Sequence, residues 1–81
     1  MLTSYGQAQT GLSYLKDAIC NLLIIHGQSG LTNAQIGKAL GIYRGHVGHE
    51  GHISRSVLDI MEEEGLVVQK EDKSWILKHY L

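Results

Sequence analysis

The chain has no proline and a single cysteine, Cys20, among its 81 residues. One cysteine excludes an internal disulfide and a cysteine-based zinc site. Neither sign of charge is in excess: 7 lysines and arginines stand against 8 aspartates and glutamates, for a formal net charge of −1. Bulk positive charge is therefore excluded as a means of holding nucleic acid, and any such binding has to come from a few basic residues gathered on one face. No apolar run is long enough to span a membrane, and no charged-then-apolar leader follows Met1, so the expectation is a soluble protein of a reducing, cytoplasmic compartment. No serine or cysteine stands with a base and an acid at a recognisable spacing, and there is no glycine-rich phosphate loop. The expectation is a protein that is not an enzyme and takes no cofactor. Internal repeats and low-complexity tracts are absent as well.

What is present is a chain with 43% hydrophobic residues, ordinary for a globular protein and too many for a disordered one. At this length it forms one domain (residues 1–81), which must use nearly all of its apolar side chains to be stable. Residues 1–10 carry little pattern, and two readings stand: Tyr5 and Ala8 dock on the domain, or the segment is loose. From Leu12 to His26 the helical period is clear: Leu12, Leu15, Ile19, Leu22, Leu23 and His26 fall within an arc of roughly 100°. Thr10 or Ser13 is placed to cap this helix and Gly27 to stop it. Tyr14, Cys20 and Ile24 lie off the stripe, which points to further packing by this helix, against the N-terminal segment or a second copy of the chain.

The sharpest local signal is Leu31-Thr32-Asn33-Ala34-Gln35-Ile36. Thr32 and Gln35 have capping-box spacing, bracketed by Leu31 and Ile36, so a second helix starts at Asn33 and ends at Gly41. Of the 10 glycines, Gly41, Gly45, Gly48 and Gly51 fall in one connector, which is longer than a plain helix-turn-helix needs. A third helix is expected from about Ile53 to Glu64, burying Ile53, Val57, Ile60 and Met61, with Ser54, Arg55, Asp59 and Glu62 pointing away. Leu66–Lys70 and Ser74–Lys78 read as the strands of a hairpin, and Gly30-Leu31-Thr32 is an optional third strand at its edge. The fold class is α+β, mainly α: a three-helix core over 12–64 and a two-stranded hairpin over 66–78.

Two segments carry a family resemblance. Leu31-Thr32-Asn33-Ala34-Gln35-Ile36-Gly37-Lys38-Ala39-Leu40-Gly41 resembles the second helix of the winged helix-turn-helix superfamily, and Leu58-Asp59-Ile60-Met61-Glu62-Glu63-Glu64-Gly65-Leu66-Val67 resembles the passage from its third helix into the wing. The likeness covers residues 12 to 78. The long Tyr43–His52 connector departs from the common pattern and is similar to small winged-helix modules associated with restriction-type nucleases. The resemblance implies a duplex DNA-binding module of the prokaryotic type, a small transcriptional regulator or a DNA-reading module, with the third helix in the major groove and the wing on the backbone.

On that reading the residues near the start of the third helix, His52, Ser54, Arg55 and Ser56, face base edges. Arg55 leads, because its guanidinium fork matches the two acceptors of guanine; the plain alternative is an ion pair with Asp59 one turn on. Arg44 stands just before the helix, Lys70 and Lys73 flank the wing turn, and all three are candidates for phosphate contact, with Lys38 as a further one; Glu71 and Asp72 between the two wing lysines would weaken that contact, and the plain alternative for all four is a solvated surface. His46, His49 and His52 are spaced three apart with Glu50 among them. They are read as hydrogen-bond donors to DNA, and as a metal site only as an alternative, because the spacing is no known ligand signature. Trp75 is expected to pack on the third helix. A homodimer through the first helix is a further expectation. The competing functions are a protein-docking winged helix and a metal-responsive regulator built on the histidines.

Overall fold

The computed structural model describes residues 3–44, 48 and 50–81. They form an α+β architecture, mainly helical: α1 (Ser4–His26), a 3₁₀ turn (Gly27–Ser29), β1 (Leu31–Thr32), α2 (Asn33–Ala39), α3 (His52–Glu63), β2 (Val67–Gln69), β3 (Ser74–Leu77) and a closing 3₁₀ turn (Lys78–Tyr80). No helix among the described residues is long and apolar enough to cross a membrane.

The helix α1 begins well before Leu12, which corrects the reading of a loose leading segment. Thr3 caps it: the Gly6 N–H donates to Thr3 Oγ1 at 3.0 Å, satisfying one of the orphan donors of a helix start. Most of the added turns are exposed, so the apolar period that marks a helix in sequence begins later than the helix does. At the other end Gly27 takes a positive φ, and its N–H donates to the Leu23 carbonyl. Between these ends Ile19 and Leu23 are fully buried, with Leu12, Leu15 and Leu22 packed partly against the core.

The sheet has three strands rather than the two of a bare hairpin, in the order β1-β3-β2, with β3 antiparallel to both neighbours. The optional edge strand is thus formed: Leu31 pairs with Trp75 and Thr32 with Ser74. Gly30 is what lets it approach. A Cβ there would lie 2.6 Å from the Trp75 carbonyl oxygen and 2.8 Å from Ile76 Cγ2, and the residue sits at φ +69°. Only glycine accepts both conditions without displacing the central strand. With a strand on each side and α1 packed against it, all four residues of β3 are buried.

One core joins these elements: Ile19 and Leu23 of α1, Leu31 of β1, Ile36 of α2, Val57, Leu58 and Met61 of α3, Val67 of β2, and Trp75 and Leu77 of β3. Each such side chain contributes about 1.5–3 kcal/mol by leaving water. Trp75 is part of this core, but its Nε1–H is buried with no acceptor among the described residues, a local cost of about 1–3 kcal/mol.

The α3 stripe is rotated from the expected one. Its buried residues are Ser54, Val57, Leu58 and Met61, while Ile53 is 42% exposed and Ile60 half-buried. The expectation ranked positions by hydrophobicity alone and so turned Ser54 outward. Ser54 faces inward because polar partners await its hydroxyl. At the C-terminal end of α3, three glutamates oppose the helix dipole; Glu64 is offset by an exposed ion pair with Lys16 at 2.9 Å.

Candidate functional site

The site begins with the start of α2. Thr32 and Gln35 form the capping box their spacing predicts: the Gln35 N–H donates to Thr32 Oγ1 at 3.2 Å and the Thr32 N–H to Gln35 Oε1 at 2.9 Å. This fixes Asn33 at the first helical position, with its side chain turned toward the start of α3. Asn33 Nδ2 donates to the Gly51 carbonyl at 3.1 Å, and Ser54 Oγ donates to Asn33 Oδ1 at 2.7 Å. The amide thus latches α2 to the first turn of α3, and Ser54 is fully buried beside it. Gly51 is the helix N-cap, at φ +85°. A Cβ there would meet Asn33 Nδ2 at 2.7 Å and Tyr43 Cε1 at 2.9 Å, so the latch and the Tyr43 ring close over a position that glycine alone fits.

Beside the latch lies an open cleft of about 670 Å³, walled by Thr32 of β1, Asn33 and Ala34 of α2, Tyr43, Gly48 and Glu50 of the connector, His52 and Arg55 of α3, and Gln69 and Lys73 of the hairpin. Tyr43 also lines a neighbouring recess of about 350 Å³ with Lys38, Gly41 and Arg44. There the Lys38 ammonium stands 5.1 Å from the Tyr43 ring centroid, within cation–π range.

The hairpin wall has its own local logic. The Lys73 N–H donates to the Lys70 carbonyl at 3.0 Å and the Lys70 N–H to the Ser74 carbonyl at 2.8 Å, which closes a three-residue loop of Glu71, Asp72 and Lys73. Such loops end on a left-handed residue, and here that residue is Lys73 at φ +75°, the one non-glycine with positive φ among the described residues. Asp72 Oδ1 accepts from the Ser74 hydroxyl at 2.6 Å and from its N–H at 3.0 Å. These bonds hold the Asp72 carboxyl below its ordinary pKa.

The structure sorts the residues singled out in the sequence. His52, Arg55 and Lys73 come together in the large cleft, and Arg44 in the recess beside it. Arg55 is exposed and forms no ion pair with Asp59; among the described residues the ion pair within 4 Å is Lys16–Glu64. Ser56 is exposed but lies outside the cleft. Ser54 does not belong with them: its hydroxyl is consumed by the latch, so it positions α3 and meets nothing outside the fold. Lys70 is diverted as well. Its ammonium donates to the Gln28 carbonyl at 2.8 Å and the Ser29 carbonyl at 3.3 Å, in the turn that ends α1, where a cation offsets the helix dipole. His46 and His49 lie outside the described residues, and among the described residues no group of three metal-ligating side chains forms.

Sequence reasoning missed Asn33, Tyr43 and Gln69 as parts of the site. Asn33 gave no local sign because its partner Ser54 is 21 residues away. Away from the cleft, Cys20 is half-buried, and burial, then the Asp17 carboxylate, raises its thiol pKa. Such a thiol is a poor nucleophile at neutral pH. No protein-family model, curated protein or solved structure matches the chain.

Proposed function

We propose that this chain is a winged helix that binds double-stranded DNA without catalysing a reaction, as a small transcriptional regulator or the DNA-reading module of a larger system. The N-terminal end of α3 enters the major groove, and the β2–β3 hairpin acts as the wing on the backbone. One observation carries the reading: Arg55 and His52, at the start of α3, share a cleft with Lys73 at the hairpin tip. A helix start flanked by a lysine of the hairpin loop is the arrangement such docking uses, with an arginine that forms no ion pair among the described residues to meet a guanine edge.

Charge is segregated in the sense the reading needs. Arg44, Lys38, Arg55 and Lys73 line the cleft and its recess, whereas Glu62, Glu63 and Glu64 crowd the opposite end of α3. A net charge of −1 then matters less, because Glu62, Glu63 and Glu64 stand at the far end of α3 from the proposed DNA face, although Glu50 lines the cleft and Glu71 and Asp72 flank Lys73. Lys38, Arg44 and Lys73 are assigned to phosphate.

Selection from a randomised duplex pool at moderate salt tests the proposal. An enriched motif is expected; a pool that stays random overturns it. A second reading, docking of protein on α1, is favoured by the exposure of Tyr14, Ile24 and Ile25 there. It includes the homodimer, which sedimentation over a concentration series would reveal.

A further inference from the structure

The cleft contains one feature that phosphate attraction does not explain: a carboxylate. Glu50 lines the same cleft as Arg55, His52 and Lys73. In a chain with so few cations, an acid placed there weakens the hold on a polyanion, so phosphate binding gives no reason for it. Its position is built. Glu50 directly precedes the Gly51 cap of α3, it is half-buried, and the Gly48 N–H donates to its Oε2 at 3.0 Å. The Gly51 N–H in turn donates to the Arg44 carbonyl at 3.2 Å, which ties the loop's end back to its start. A carboxylate has about four acceptor directions, so the bond from Gly48, the one hydrogen bond to it among the described residues, leaves capacity for another donor.

We infer that Glu50 is a specificity-determining residue that accepts a hydrogen bond from the exocyclic amino group of a cytosine in the major groove, beside a guanine held by Arg55. This rests on the duplex-binding reading above and deepens it. In the major groove the donors available to a carboxylate are the amino groups of cytosine and adenine. Cytosine is the base that glutamate suits, since adenine sets an N7 acceptor beside its amino donor and that acceptor would face a second anion. Thymine and guanine present acceptor atoms there and would be repelled. The acid thus exchanges some affinity for discrimination, the expected use of an unfavourable charge at a recognition surface. A purely structural role, holding the Gly48 N–H near the positive end of the α3 dipole, predicts an effect on stability and none on base preference.

The decisive comparison is a randomised-duplex selection run in parallel on the wild-type chain and on Glu50→Gln. Glutamine keeps an acceptor for Gly48 but presents the donor–acceptor pair that matches adenine. The expected result is a wild-type motif with a cytosine preferred roughly tenfold at one position. In Glu50→Gln that single position changes to adenine while the guanine assigned to Arg55 persists. Glu50→Ala should lose the preference at that position and bind random duplex at least as tightly as the wild type. A wild-type motif that Glu50→Gln and Glu50→Ala leave unchanged overturns this inference and spares the duplex-binding reading. A wild-type pool with no motif overturns both.

Discussion

The two ends of α3 are built from different materials. From Val57 onward it puts Val57, Leu58 and Met61 into the apolar core and shows three glutamates to solvent. Its N-terminal end is latched by polar contacts: an asparagine amide, a serine hydroxyl and a glycine carbonyl. The apolar end fixes where the helix lies, because the hydrophobic effect is large and non-directional. The polar end fixes how the helix is rotated and where its first turn points, because hydrogen bonds are directional and a buried unpaired polar group is costly. A recognition surface needs the second kind of control, and the proposed one sits beside the polar end.

The largest effect should come from breaking the apolar end. Leu58→Ala, at a fully buried position, is expected to lower unfolding stability by about 2–5 kcal/mol. Urea denaturation followed by circular dichroism measures it; a loss under 1 kcal/mol would mean the core is not as described. An intermediate effect should follow at the polar end. Ser54→Ala leaves Asn33 Oδ1 without its donor and is expected to cost about 1–2 kcal/mol. Asn33→Ala should cost a similar amount, and the double variant should cost clearly less than the sum, because the two residues share a bond. Additive losses would dissolve the latch.

The same contrast decides what was legible in the sequence. The capping box at Thr32 and Gln35 was readable because both partners lie within one turn. The three helices and the hairpin strands followed from apolar period and glycine stops. The inward turn of Ser54 was not readable: its reason is Asn33, far off in sequence, and hydrophobicity ranks Ile53 above it. The early start of α1 was hidden because its first turns are mostly exposed and carry no apolar period. Lys70 looked like Lys73 in the sequence, yet pairing of β2 with β3 brings it to the end of α1, where backbone carbonyls take its ammonium. At the cleft, His52, Arg55 and Lys73 were legible as local signals, and Asn33, Tyr43 and Gln69 were not, because the fold alone brings them there.

Two smaller effects sharpen the account at the hairpin. Lys73→Gly relieves a left-handed residue at φ +75° and is expected to raise stability by up to about 1 kcal/mol, read as a higher melting temperature. An unchanged or lower value would mean the loop is not strained there. Asp72 has a folded pKa below its unfolded value, so its contribution is present above about pH 4 and is lost as pH falls through the folded pKa. Asp72→Asn should flatten that acid limb of the stability curve. A wild-type and variant difference that stays constant from pH 6 to pH 2 would contradict the two bonds to Ser74.

The central claim is a division of labour along α3, with the N-terminal end reading DNA and the acidic end standing apart. The most direct measurement is duplex affinity of Arg55→Ala and Glu63→Gln against the wild type on the selected sequence, with melting temperature recorded alongside. The account predicts that Arg55→Ala weakens binding by about 10- to 100-fold at unchanged stability, while Glu63→Gln leaves affinity within about twofold, as expected for a charge far from the contact and screened by salt. Equal affinity for Arg55→Ala and wild type, or a loss on Glu63→Gln as large as that on Arg55→Ala, would contradict it.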